Sequence, residues 1–344
     1  MFEDTQRKEI QELGEFGLIK NLTESLHYTQ PGTQKGVGDD AAVLGIGERK
    51  MLVSTDMLIE GVHFDLSFHP LKHLGYKSVV VNISDILAMN GKPEQIVVSI
   101  AFSSRFSLQA VQELYEGIRL ACETYGVDLV GGDTSSSRQG LVVSITALGS
   151  AMEKEIVYRK GAKENDLVCV SGDLGAAYMG LQLLEREKQV FLADPTMQPD
   201  LDGHDYILQR QLKPEARLDV IKELEAAGIQ PTSMIDISDG LASEIFHLCE
   251  ASEVGMAVYE LKIPIDPSTV SSAEQFNLDP LTCALNGGED YELLFTVDQK
   301  DFEKIRSMDS ISIIGHVTPK AAGKMVITKN DNTFELKAQG WKHF

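Results

Sequence analysis

Only four cysteines stand in this chain of 344 residues, Cys122, Cys169, Cys249 and Cys283, and no two of them form a Cys-x-x-Cys. That spacing excludes a zinc ribbon and offers no disulfide framework for a chain of this size. All four stand among apolar residues, where buried free thiols are expected. Basic residues are scarce as well: 31 Lys and Arg against 52 Asp and Glu leave a formal charge of −21. That balance argues against a bare electrostatic grip on nucleic acid or an anionic membrane, which would need a basic face. No apolar run approaches the roughly 18 residues of a membrane span. The opening Met1-Phe2-Glu3-Asp4 lacks the basic and apolar regions of a signal peptide. A reducing cytoplasm is therefore the expected setting, with no nucleic-acid and no membrane partner.

The familiar phosphate-binding motifs are missing too. There is no Gly-x₄-Gly-Lys-[Ser/Thr], and no Gly-x-Gly-x-x-Gly follows a strand. The β3 lysine, His-Arg-Asp and Asp-Phe-Gly of protein kinases are absent, as is a Gly-x-Ser-x-Gly elbow. Any use of ATP must come from a different scaffold, one that leans on Mg²⁺ more than on lysine.

What the chain has instead is six short turns, rich in glycine and hydroxyls, each delivering an acid at or near the end of an apolar run. They are Gly38-Asp39-Asp40, Ser54-Thr55-Asp56, Asn82-Ile83-Ser84-Asp85, Gly131-Gly132-Asp133, Asp236-Ile237-Ser238-Asp239 and Gly287-Gly288-Glu289-Asp290. Turn chemistry alone accounts for one such segment. Six suggest carboxylates gathered around hard cations, since without a counter-charge each would drive up the pKa of the next. Mg²⁺ carrying phosphates meets that need, and it reconciles an acidic protein with anionic ligands.

The pattern of elements is α/β. A loose apolar stripe predicts a helix over 8–28, and Met51–Thr55 reads as a buried strand ending at Asp56. The segment 71–89 reads as a helix stopped by Asn90-Gly91-Lys92-Pro93, with Asn82 and Asp85 on one face. A strand over 96–102, an amphipathic helix over 108–125 ended by Gly126, and β-rich runs at 127–130 and 141–148 follow. Length alone points to two domains. The divisions expected are a lead-in over 1–35, an N-terminal domain over 36–152 and a C-terminal domain over 153–344. In the latter, 167–171 reads as a strand, 190–205 as an exposed loop, and Pro214 as the first turn of a helix to Ala227. Ser238 or Asp239 is expected to cap the helix that follows Gly240. Strands are expected over 292–297, 311–317 and 325–328.

In order, Gly36-Val37-Gly38-Asp39-Asp40-Ala41-Ala42, Ser54-Thr55-Asp56, Gly61-Val62-His63-Phe64 and Asn82-Ile83-Ser84-Asp85-Ile86-Leu87-Ala88-Met89 resemble the N-terminal half of thiamine-monophosphate kinases. Gly131-Gly132-Asp133-Thr134, Asp236-Ile237-Ser238-Asp239-Gly240-Leu241, Gly287-Gly288-Glu289-Asp290-Tyr291-Glu292-Leu293 and the closing Gly340-Trp341-Lys342-His343-Phe344 continue the match. The resemblance covers nearly the whole chain in the right order, whereas each motif alone is weak. It implies a two-domain synthetase-like α/β (α+β) fold of the aminoimidazole-ribonucleotide-synthetase type. An N-terminal mixed sheet would pair across a homodimer and a C-terminal α/β domain would close over the site. The implied reaction is ATP-dependent phosphorylation of thiamine monophosphate to thiamine diphosphate, with several Mg²⁺ ions.

The resemblance also assigns residues. Asp40, Asp56, Asp85, Asp133 and Asp236 match metal ligands, with Ser54 and Thr55 adding oxygens beside Asp56 and Asp239 a further ligand. Asp39 would cap its turn while Asp40 binds metal. Gly132, Asp133, Arg159, Ser238 and Tyr115 match the ATP side. Arg159 reads equally as an interdomain salt bridge, Ser238 as a helix cap and Tyr115 as core. His63, Glu289 and Trp341 match the thiamine end, with Glu289 facing cationic rings; Trp341 reads equally as an anchor for the C-terminal segment. No side chain stands out as a covalent nucleophile, so direct in-line transfer is expected. The alternatives are a related synthetase-type ATP enzyme such as aminoimidazole ribonucleotide synthetase, and a non-catalytic acidic protein that binds divalent ions.

Overall fold

The computed structural model describes residues 33–35 and 38–337. The helix expected over 8–28, the Gly36-Val37 lead-in and Trp341 lie outside the described residues.

Two mixed sheets organise the chain. The first contains β1 (Thr33–Lys35), β2 (Ala42–Ile46), β3 (Arg49–Ile59), β4 (Lys92–Phe102), β5 (Asp128–Ser136) and β6 (Val142–Met152), in the order β1-β2-β3-β6-β4-β5. Its strands run antiparallel except for β4 beside β5. Period-2 alternation sorts each strand into two rows. On β3 the row toward the helices carries Leu52, Ser54, Asp56 and Leu58, facing Ile145 and its neighbours on β6. The opposite row carries Thr55 and Met57; Met57 is 53% exposed, and every residue of β5 is exposed.

Helices α1 (Leu71–Ala88) and α2 (Leu108–Tyr125) pack together against this sheet. Nearly all of α1 is buried, as expected of a helix that is apolar almost all round. It lies between the sheet, α2 and the second domain. The two helices meet at paired glycines: a Cβ on Gly75 would lie 2.0 Å from the Leu114 carbonyl oxygen, and one on Gly117 would lie 1.9 Å from that of Lys72. Against such a sheltered helix, the polar side chains Lys77, Asn82 and Ser84 stand out as buried exceptions.

The second sheet contains β7 (Leu167–Ser171), β8 (Ser233–Asp236), β9 (Gly255–Tyr259), β10 (Leu293–Val297), β11 (Ile311–Thr318), β12 (Lys324–Ile327) and β13 (Thr333–Glu335). Its order is β13-β12-β9-β11-β7-β10-β8, with only β9 and β12 parallel. Around it lie α3 (Ala176–Ala193), α4 (Asp205–Leu212), α5 (Leu218–Ala226), α6 (Leu241–Ser252), α7 (Pro267–Gln275), α8 (Pro280–Asn286) and α9 (Phe302–Arg306). One apolar core runs from Val43 and Ile145 of the first domain through Val220 and Leu224 of α5 to Phe295 of the second sheet. That continuity seats β8 against α1. No helix among the described residues is long and apolar enough to cross a membrane.

Three local expectations are corrected. Pro214 does not open a helix; α5 begins at Leu218. The intervening residues are held by tertiary contacts: Glu215 accepts hydrogen bonds from Tyr76 at 2.5 Å, Tyr125 at 2.8 Å and Lys213 at 2.8 Å. The stretch 190–205 is not all loop, since α3 runs to Ala193 and the unforeseen α4 starts at Asp205. Neither Ser238 nor Asp239 caps α6. Gly240 takes that place at φ 112°, and Glu244 accepts the Asp239 amide at 3.0 Å.

Candidate active site

A cleft of about 1040 Å³ lies between the two domains. Its floor is acidic. Asp40 sits on the bend before β2, Asp85 in the last turns of α1 and Asp236 at the end of β8; their carboxylate oxygens lie within 4.8 Å of one another. Asp56, on the inward row of β3, lines the same cleft, and its charge acts on Asp85.

Each carboxylate is oriented by a neighbour. Ser54 donates to Asp85, and Ser84 donates to Asp236 Oδ2 at 2.5 Å. The Asn82 side chain accepts the Asp56 amide at 3.0 Å. Arg159 reaches Asp40 with both prongs of its guanidinium, Nη2 to Oδ1 at 2.7 Å and Nε to Oδ2 at 3.1 Å. Asp39 turns instead to the backbone, accepting the Arg159 amide at 3.2 Å. Burial, then the Asp40 charge, pushes the Asp39 carboxyl up to about 6.

The other floor acids are displaced in the same direction. Burial raises Asp56. It raises Asp85 far above the carboxylate range, helped by the charges of Asp56, Asp236 and Asp40. Asp236 rises to about 7, through burial first and Asp40 second. Such a site holds protons for want of positive charge, and a donor set of hard oxygens fits Mg²⁺. Because these pKa values lie above those of the unfolded chain, the folded state binds extra protons between pH about 4 and about 7, so its stability falls as pH rises through that window. A bound divalent ion removes that cost. Mg²⁺ is thus expected to raise the melting temperature more at pH about 8 than at pH about 5.5, since ion and protons compete for the same oxygens. Equal shifts in calorimetry at the two pH values would contradict this reading.

The remaining expected residues are divided by the fold. Ser238, Asp239, His63 and Glu289 line the cleft. His63 Nδ1 accepts the Ile59 amide at 3.0 Å, so in the neutral ring the proton sits on Nε2. Glu289, on a turn at φ 58°, is gripped by Lys77 at 2.9 Å and Gln211 at 3.0 Å. Thr55 also borders the cleft, though its side chain alternates to the face opposite Asp56, where the hydroxyl meets Thr146 at 3.0 Å. Tyr115 packs half-buried against the core.

Gly132 and Asp133 do not line the cleft. The register aligns Asp133 with Ser99 on β4, Ser144 on β6 and Met57 on β3. Asp133 therefore lies three strand spacings from β3, roughly 14 Å at about 4.8 Å each. It also belongs to the row opposite Asp56.

Lys77, Gln211 and Glu244 belong to none of the six acidic turns, yet Gln211 and Glu244 line the cleft and Lys77 pairs with Glu289. The signal for Lys77 was present: with Val81 and Asp85 it follows an i, i+4, i+8 stripe, one face of the helix. Gln211 sits on the unforeseen α4, which left nothing to find it by.

Family models for AIR synthase related protein match this chain, the N-terminal domain over residues 38–151 and the C-terminal domain over 163–328. The thiamine-monophosphate kinase of Bacillus subtilis is 33% identical over 342 residues, covering 96% of this chain and all of that protein. The chain belongs to the thiamine-monophosphate kinase family. The Aquifex aeolicus enzyme of that name is also 33% identical, covering 97% of this chain and 99% of its own length. Among solved structures, AaThiL complexed with AMPPCP and TMP is 31% identical, with a TM-score of 0.84 over 99% of this chain and 100% of that one. The family's two-domain mixed α/β architecture is the one described above.

Proposed function

We propose that this chain transfers the γ-phosphoryl group of ATP to the phosphate of thiamine monophosphate, giving thiamine diphosphate. The observation that carries this reading is the trio of Asp40, Asp85 and Asp236, oxygens converging from both domains at the head of a cleft large enough for two ligands. Asp40, Asp56, Asp85 and Asp236 would hold Mg²⁺, with Ser54 and Asp239 at the margin. Magnesium there supplies the positive charge that lets two anionic phosphates approach and align.

The protein's own groups do the rest. Arg159, already presenting its fork to Asp40, is placed to turn that fork to phosphate oxygens, which suit the same bidentate geometry. His63 offers an Nε2–H donor from a ring fixed by the Ile59 amide. Glu289 presents a carboxylate to the cationic end of the acceptor, and Ser238 lies beside it, its carbonyl accepting the Glu289 amide at 2.7 Å. The acceptor phosphate is itself an anion and needs no strong base. Cys283, the one cysteine lining the cleft, is a poor nucleophile because burial pushes its thiol up to about 11. Transfer is thus direct and in line.

The test is a kinase assay with ATP and Mg²⁺ on thiamine monophosphate, free thiamine and formylglycinamidine ribonucleotide. Turnover of the first alone is expected. Turnover of the ribonucleotide instead, or a phospho-enzyme trapped with labelled ATP alone, would overturn the reading.

Asp133 joins the site only from a second copy. Its separation from β3 and its opposite face deny it a metal shared with Asp56 in one chain, while the open edge of β5 leaves it accessible to a partner. We therefore place a homodimer at this sheet, with Gly132 and Asp133 serving the nucleotide across it. Asp85→Asn and Asp133→Asn subunits, each inactive alone, should regain activity when mixed and allowed to exchange. No recovery in verified mixed dimers would overturn a site shared between subunits.

A further inference from the structure

The cleft has two facing walls, the loop over 61–69 that joins β3 to α1 and one face of α3. Leu181 and Glu185 line it from α3 at i and i+4, and Lys188 follows at i+7 on the same face. Asp65 and Phe68 line the loop opposite. Lys188 Nζ lies 2.5 Å from Asp65 Oδ2, so a cation of the second domain meets a carboxylate of the first across the cleft. The two side chains are 26% and 28% exposed, whereas Asp236 on the floor is buried. The pair therefore stands at the rim, away from the floor carboxylates.

The two ends of this contact are unequal. Asp65 is set in its loop: Oδ1 accepts the Ser67 amide at 2.8 Å, and its carbonyl oxygen accepts the His69 amide at 2.8 Å. Lys188 reaches it on a flexible four-carbon stem, with its ammonium 5.7 Å from the centre of the Phe68 ring. A second carboxylate, that of Glu185 one turn back on α3, stands 4.0 Å from the same nitrogen. An ammonium placed between two carboxylates, one on each wall, can leave the far one and keep a counter-charge. Asp65 keeps the Ser67 amide when it does. A partly exposed pair of this kind is weak enough to break readily. The helix has room to follow, because Ala176, Met179 and Leu183 of α3 pack into a small apolar cluster of their own, separate from the cores of both sheets.

We infer that Lys188 is a latch on the cleft, closing its rim against Asp65 and opening it by moving to Glu185, and that it thereby sets how fast ligands enter and leave. The latch belongs to the two walls and requires no particular acceptor; the thiamine monophosphate reading supplies only one of the probes. A latch has a kinetic signature. It changes the barrier to passage and not the contacts made once inside, so entry and exit change together and their ratio stays put.

The experiment measures association and dissociation rates by surface plasmon resonance on the immobilised full-length protein, with thiamine monophosphate and, separately, with ATP and Mg²⁺. Lys188→Met should raise both rates about 3-fold or more and leave the dissociation constant within about 2-fold. Asp65→Asn, acting from the other wall, should do the same. The double variant should be no faster than either alone, since both remove one contact. Glu185→Gln, which takes away the second seat, should slow both rates. Unchanged rates in Lys188→Met or in Glu185→Gln overturn the inference, as do additive effects in the double variant. A change confined to the dissociation rate makes Lys188 a ligand contact and overturns the latch as well. If the wild type binds ATP but not thiamine monophosphate, the kinase reading fails and the latch is judged on the ATP rates. If it binds neither, both fail.

Discussion

Replacing Asp85 with asparagine will lower turnover by more than about 100-fold, beyond the loss usual when a group merely supporting a metal ligand is removed. The fold will survive. Asparagine has nearly the same shape, and its side-chain oxygen can still accept from Ser54, which donates to Asp85 in the native protein. Ionised Asp85 is opposed by burial and by the charges of Asp56, Asp236 and Asp40. Removing that charge relieves the metal-free protein, so its melting temperature should stay level or rise. The rise on adding Mg²⁺ should largely vanish. Steady-state kinetics at saturating Mg²⁺ and calorimetry with and without the ion measure both halves. Near-wild-type turnover would remove Asp85 from the metal floor.

Glu292→Ala is expected to be the most damaging change to stability away from the cleft floor. The Glu292 carboxylate is fully buried and accepts from Arg210 Nη1 at 2.8 Å, from Arg217 Nη1 at 2.8 Å and from Ser171. Alanine leaves two guanidinium groups inside the protein without their shared counter-charge. Breaking a buried pair from one side costs about 3–5 kcal/mol. Urea denaturation should show the midpoint falling with the slope unchanged. A loss below about 1 kcal/mol would mean that solvent reaches the arginines and the network is not sealed. Since Glu292 follows Glu289 by three residues, the acceptor KM should rise as well.

Much of the site was legible because its residues come as contiguous motifs at the ends of regular elements. Asp56, Asp85 and Asp236 each follow an apolar run, and the fold needs only to bring those run ends together. The helix over 71–89 was readable because Asn90-Gly91-Lys92-Pro93 ends it so firmly. Legibility failed where a tertiary contact outweighed a local preference. Pro214 is a good helix opener, yet Tyr76 and Tyr125, remote in sequence, hold Glu215. Helices α7 and α8 do carry a local signature, Asp266-Pro267 and Asp279-Pro280, in which the aspartate accepts an amide of the first turn at 2.7 Å and 2.9 Å. Gln211 had no such signature, because its bond to Glu289, 78 residues away, exists only in three dimensions. Asp133 belongs to an acidic turn like the others, and only strand register separates it from them.

The acidic floor draws its oxygens from both halves of the molecule, Asp40 and Asp85 from one and Asp236 from the other. Mutual repulsion therefore acts along the line that joins the halves. On the proposed reading, a cation held there would tie the two halves together, and its loss would leave those carboxylates facing one another across the cleft.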